Sequence, residues 1–116
     1  MTTRTGKVAE LTFAAKALAL GFEICEPLVD DKGYDFLLLY GNEWKRVQVK
    51  KAKTAEKRPG YYYTVVDLTS GRKKETYKEG FDLLVAVEDD NIWLIPVENI
   101  TGSRYVSITD NHEKWL

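Results

Sequence analysis

The spacing of apolar positions changes along this chain, and the changes mark its elements. Val8, Leu11, Ala14 or Ala15, and Leu18 recur at helical spacing. They predict a helix that packs on a sheet, capped by Thr3 or Thr5 and running to about Leu20. Gly21 follows where a C′ glycine ends a helix. Glu10 lies beside this stripe, not opposite it, so it is either a solvated helix position or a carboxylate directed along the sheet edge. Phe22 to Glu26 predicts a short strand stopped by Pro27, and Leu28 to Gly33 a polar loop. Phe36 to Tyr40 is apolar on both faces, as a central strand would be. After the turn Gly41-Asn42 the period becomes two: Val47 and Val49 face one way, Arg46, Gln48 and Lys50 the other.

Lys51 to Gly60 is basic and ends in Pro59-Gly60, which predicts a loop. Tyr61 to Leu68 is rich in aromatic and β-branched residues and predicts a strand that puts at least one of Tyr61, Tyr62 and Tyr63 in the core. Arg72 to Gly80 is charged, suited to a loop or short helix. Leu83 to Val87 is apolar throughout, a second central strand. Asp89-Asp90-Asn91 turns it into Ile92 to Val97, and Arg104 to Ile108 suits a last strand or edge segment. A second helix fits near Lys73 to Glu79 or after Pro96. The order predicts one domain over residues 1–116, of α+β or mixed α/β class, with a sheet flanked by helix.

Composition adds exclusions. The formal net charge of −1 offers no global attraction to polyanions, but the distribution is uneven. From Lys45 to Arg58 seven basic residues face the single acid Glu56; Arg72-Lys73-Lys74 is a second basic run, and acids gather at Asp30-Asp31 and Glu88 to Asp90. Cys25 is the only cysteine and His112 the only histidine. That excludes an internal disulfide, a cysteine zinc site and histidine triads; Cys25 reads as a small buried residue and His112 as an exposed tail position. No apolar run reaches the length of a membrane span, and the N-terminus lacks the apolar core of a signal peptide. The expected compartment is the cytoplasm, and no membrane partner is expected.

The chemistry concentrates on the hairpin. Asp35 opens its first strand, and Gln48 and Lys50 share a face of the second. Hard divalent cations take oxygen ligands. Asp35 offers a carboxylate, Gln48 an amide oxygen and Val49 a backbone carbonyl. Lys50 can hold a nucleophilic water or stabilise developing charge. The basic residues beyond suit a nucleic-acid backbone.

The run Gly6-x-x-x-Glu10, Gly21-Phe22, Tyr34-Asp35 and Val47-Gln48-Val49-Lys50 resembles the PD-(D/E)XK nuclease superfamily, in particular its small single-domain members, the homing endonucleases of bacterial group I introns and the archaeal Holliday junction resolvases. Phe81 to Val87 followed by Ile92-Trp93-Leu94-Ile95-Pro96-Val97 resembles the end of that core. The resemblance spans Gly6 to Val97 and implies a restriction-endonuclease-like central mixed β-sheet flanked by helices. It implies a Mg²⁺- or Mn²⁺-dependent DNA endonuclease. Asp35 would be the principal metal ligand, Glu10 a direct or water-mediated one, Gln48 and Val49 the remaining ligands, and Lys50 the superfamily's lysine. Lys51, Lys53, Lys57 and Arg58 would hold DNA phosphates. Gln48 departs from the pattern: it stands where a second acid usually stands and brings no charge.

Cutting both strands with so small a domain favours a symmetric homodimer or homotetramer. Two other readings remain: a DNA-binding protein that keeps a nuclease fold without catalysis, and an interaction protein whose basic stretch is only a solvated face.

Overall fold

The computed structural model describes residues 3–29, 33–68, 80–100 and 105–115. The helix α1 spans Arg4–Ala19, and nine strands follow among the described residues: β1 (Ile24–Cys25), β2 (Phe36–Tyr40), β3 (Glu43–Lys51), β4 (Lys53–Arg58), β5 (Tyr61–Asp67), β6 (Leu83–Glu88), β7 (Asn91–Pro96), β8 (Tyr105–Ser107) and β9 (Glu113–Trp115). They form a six-stranded sheet in the order β1-β2-β3-β6-β7-β9 and a three-stranded sheet in the order β4-β5-β8. All neighbours are antiparallel except β3 and β6, which run parallel. This is the mixed α/β architecture expected. None of its described helices is long and apolar enough to cross a membrane.

Strand alternation divides the core into two layers. Val47, Val49, Leu83, Val85 and Val87 pack with Ala9, Phe13 and Ala17 of α1. Leu84, Ala86 and Ile95 pack on the other side with Ala52, Val66, Leu68 and Val106. Ala52 is the joint: its N–H donates to Val87 O at 2.8 Å, and beyond it the chain leaves the large sheet as β4. The expected basic loop from Lys51 to Gly60 is therefore mostly a strand, turned by Pro59-Gly60 into β5.

The helix terminates as its sequence dictates. Thr3 Oγ1 accepts the Gly6 N–H at 3.1 Å, and Gly21 takes φ +90°. Its buried side is not the expected one. Val8, Leu11 and Leu18 are 57%, 59% and 63% exposed, and Ala9, Glu10, Phe13 and Ala17 are buried. The helix has two apolar stripes. The one with two alanines lets it lie close on the sheet, with Phe13 as its anchor, tilted against Phe36 and stacked on Trp115.

Other expectations fare unevenly. Gly41 and Asn42 take φ +61° and +67°, the left-handed pair of a two-residue hairpin turn. In β2 only Phe36 and Leu38 are buried; Leu37, Leu39 and Tyr40 are half-buried, because its outer neighbour β1 is two residues long. Cys25, expected inside, is exposed for the same reason. Tyr61 and Tyr62 are exposed and Tyr63 half-buried, so none of the three is in the core. After Pro96 the chain makes a single 3₁₀ turn, Val97–Asn99. The helix considered at Lys73 to Glu79, the basic run Arg72-Lys73-Lys74 and Asp30-Asp31 lie outside the described residues.

The C-terminus is not a polar tail. Strand β9 pairs with β7, and Trp115 stacks on Phe22 at 4.9 Å. The Tyr40 hydroxyl donates to Glu113 Oε1; burial first, and then this acceptor, push the phenol up to about 12. His112 is half-buried and accepts the Thr109 N–H through Nδ1 at 3.1 Å, a turn contact.

Candidate active site

The site is set by where β2 ends against β3. Phe36 pairs with Val47, and the Asp35 N–H still donates to Val47 O at 2.7 Å. One ladder position further, a side chain replaces the backbone: Asp35 Oδ2 accepts the Val49 N–H at 2.8 Å. The carboxylate is thereby fixed against the middle of β3. In an extended strand the N–H and C=O of one residue point to the same side. The Val49 carbonyl therefore points toward the side on which Asp35 stands. Gln48 and Lys50 alternate to the face of Leu84 and Ala86, away from α1, and both are half-buried.

Glu10 comes from the opposite layer. It is the only buried charged residue among those described, at 9% exposure, and its Oε1 lies 3.6 Å from Lys7 Nζ. The first half of α1 overhangs the ends of β3 and β6, where Arg4, Val8 and Thr12 line a cleft with Lys51 and Val87. Asp35, Gln48, Val49 and Lys50 thus lie on neighbouring positions of one hairpin, and Glu10 reaches the sheet from the helix that covers it.

The donor set bears on which ion would fit. Among the described residues no three His, Cys, Asp or Glu side chains form a group able to hold a metal. Among the described residues neither a soft ion nor a hard one has a site built of three such side chains, so oxygen donors of other kinds would have to complete it. An aspartate carboxylate, an amide oxygen and a backbone carbonyl are oxygen donors, which fit Mg²⁺ or Mn²⁺. One negative charge fewer than a two-acid site means weaker attraction.

The basic run is less available than its composition suggests. Lys45 pairs with Glu43 at 2.8 Å, on the surface. Arg46 is held by Asp82: Nη2 donates to Oδ1 at 3.1 Å, Nε to Oδ2 at 3.2 Å, and the Arg46 backbone N–H to Oδ2 at 2.8 Å. The Asp82 N–H returns a bond to Arg46 O at 2.8 Å. This four-bond clamp closes the start of the parallel β3–β6 pair. The guanidinium holds the Asp82 carboxyl below its usual range, and the Arg46 pKa is raised in turn. A residue 36 positions away carries no sequence signal for such a pair.

Lys51, Lys53, Lys57 and Arg58 remain exposed, on the end of β3 and along the edge strand β4. The register shifts between Glu56 and Arg58, and the Arg58 guanidinium lies 4.2 Å from the centre of the Tyr61 ring. The β4–β5 ribbon therefore projects a basic, partly aromatic surface beyond the sheet that carries Asp35 and Lys50.

Similarities to known proteins bear on the fold and the family. The chain is 26% identical over 105 residues to Protein 5.3 of Escherichia phage T7, an alignment covering 90% of this chain and 87% of that protein. The bacterial homing endonuclease I-Ssp6803I has a solved structure similar to this one, with a TM-score of 0.67 and 24% identity, covering 97% of this chain and 80% of that chain. That likeness is one of fold. The profile of the PD-(D/E)XK endonucleases matches residues 1–114. On that match, spanning nearly every position from the helix to β9, the chain belongs to the PD-(D/E)XK endonuclease family.

Proposed function

We propose that the protein is a divalent-metal-dependent DNA endonuclease that hydrolyses phosphodiester bonds at the Asp35 hairpin. The observation that carries this reading is the Asp35 carboxylate fixed by the Val49 amide, with Gln48 and Lys50 on the flanking positions of the same strand. Asp35, Gln48 and the Val49 carbonyl would hold Mg²⁺ or Mn²⁺, with Glu10 joining directly or through water. Such an ion would supply positive charge against the phosphate and a bound water of lowered pKa.

The chain's own residues have distinct tasks. Asp35 and Gln48 orient the reacting phosphate by fixing what it binds to. Lys50 holds the attacking water or stabilises the charge that develops on the phosphate oxygens. Lys51, Lys53, Lys57 and Arg58 hold the DNA backbone along the β4–β5 ribbon, where each neutralised phosphate adds a salt-dependent increment of affinity. Exposed Tyr61 and Tyr62 offer stacking surfaces beside them. Cleavage of both strands calls for two such sites in a symmetric homo-oligomer.

The test is cleavage of supercoiled and branched DNA in Mg²⁺ or Mn²⁺. The parent is expected to nick or linearise at least one substrate, and Lys50→Ala to lose that activity. Cleavage of none, or equal cleavage by Lys50→Ala, overturns the catalytic reading. Gln48 in place of an acid favours one alternative, a DNA-binding protein with a nuclease fold and no catalysis. That reading predicts salt-steep binding indifferent to metal and to Asp35→Ala.

A further inference from the structure

Among the described residues the outward face of α1 is largely uncovered; only its N-terminal end, Arg4 and Val8, borders the cleft with Lys51 and Val87. Val8, Leu11, Ala15 and Leu18 are all exposed, the three large ones to more than half. At about 100° per residue they form one straight stripe opposite Ala9, Phe13 and Ala17. A helix apolar on two opposite sides is normally covered on both. The three large side chains present on the order of 300 Å² of apolar surface, the size of patch that marks an interaction site.

The spacing identifies the partner. The intervals along the stripe are three, four and three residues, so the pattern reads the same in both directions about position 13. Val8 and Leu18 are equidistant from that centre, as are Leu11 and Ala15. A two-fold interface requires a surface complementary to itself when reversed. Two copies of α1 packed antiparallel would set Val8 against Leu18 of the partner subunit and Leu11 against the partner's Ala15, in coiled-coil fashion.

Charge agrees with the antiparallel choice. Arg4, one turn before Val8, continues the stripe, and Lys7 lies beside it; exposed Glu23 and Glu26 follow the other end of the helix. Reversal brings Arg4 and Lys7 of one copy toward Glu23 and Glu26 of the other, and toward the negative end of its helix dipole. A parallel pair would instead set Arg4 on Arg4 and Lys7 on Lys7. A lipid surface would meet those two acids at one end of the stripe, which disfavours an anionic membrane.

We infer that α1 is the self-association face of this protein: two copies pack antiparallel through Val8, Leu11, Ala15 and Leu18. A standard interface buries about 800 Å² per partner, so the stripe forms its apolar centre, and Arg4, Lys7, Glu23 and Glu26 its rim. The inference rests on the proposed function only where it supplies the symmetric assembly; the helix argues for it independently.

Sedimentation equilibrium of the full chain across the micromolar range tests it. The parent is expected at an even multiple of 13.3 kDa. Leu11→Glu should halve that mass and leave the circular dichroism spectrum unchanged, because Leu11 is 59% exposed within its own subunit. Arg4→Glu should weaken association by about tenfold, and Arg4→Glu with Glu23→Arg should restore it. A monomeric parent, a Leu11→Glu variant that stays associated, or a charge reversal that restores nothing overturns the proposal. Plasmid cleavage separates it from the nuclease reading. A parent that associates through α1 but cuts no DNA sinks only the nuclease. A Leu11→Glu variant that nicks without linearising supports both.

Discussion

Asp35 has two jobs in this account, and Asp35→Asn separates them. In the structure its Oδ2 accepts the Val49 N–H at 2.8 Å. An asparagine oxygen can accept the same bond, so only the charge is lost. A hydrogen bond to a charged group contributes about 1.5–3 kcal/mol and a neutral one about 0.5–1.5; at this half-buried position the change should cost about 1 kcal/mol of stability. Asp35→Ala removes the acceptor altogether and should cost about 1–3 kcal/mol, the penalty of a poorly satisfied amide. Catalysis should respond quite differently. The hairpin would lose its one formal negative charge toward the cation, and loss of a preorganised electrostatic group typically lowers rates by about 10²–10³-fold. Urea denaturation gives the first quantity and single-turnover nicking in Mg²⁺ the second. An Asp35→Asn protein that folds stably and cuts at the parental rate would refute the reasoning, because Asp35 would then be only a β-ladder substitute.

Three further perturbations follow. Gln48→Glu supplies the second charge and should tighten Mn²⁺ binding by about tenfold, read by titration calorimetry; unchanged affinity would put Gln48 outside the ligand set. Asp82→Asn should destabilise by less than about 1 kcal/mol at neutral pH, since the pair with Arg46 is partly exposed and screened. The folded-state pKa of Asp82 is lowered, so this contribution is fully present above the ordinary carboxylate value and is lost as pH falls from there through the lowered folded-state value; denaturation curves of parent and variant should converge in acid. Phe13→Ala removes a side chain with 0% exposure that stacks on Trp115 and should cost about 3–5 kcal/mol in chemical denaturation.

How much was legible beforehand depended on the range of the contacts. The β2–β3 hairpin could be read because its signals are local: alternation along β3, a Gly-Asn turn, and an acid at the first strand's mouth. The all-apolar run of β6 could be read because a strand buried on both faces needs no partner to reveal it. The ribbon strand β4 could not, because Lys53 to Arg58 is solvated on both faces and carries no apolar period. On α1 the period was right and the face wrong: Leu and Val outweigh Ala in any hydrophobic count, yet close approach to the sheet selects the alanines. The Arg46–Asp82 clamp and the burial of Trp115 join residues distant in sequence. The oxygen donors at Asp35, Gln48 and Val49 could be named from their chemistry, but the bond from Val49 to Asp35 needed the fold.

The central claim is that a divalent ion belongs at the Asp35 hairpin. A crystal of the protein soaked in Mn²⁺ and measured for anomalous scattering tests it most directly. The account predicts a peak between the Asp35 carboxylate and the Val49 carbonyl, with Lys50 beside it. A crystal that takes up Mn²⁺ elsewhere, or not at all, or that shows Asp35 and Lys50 far apart, would contradict it.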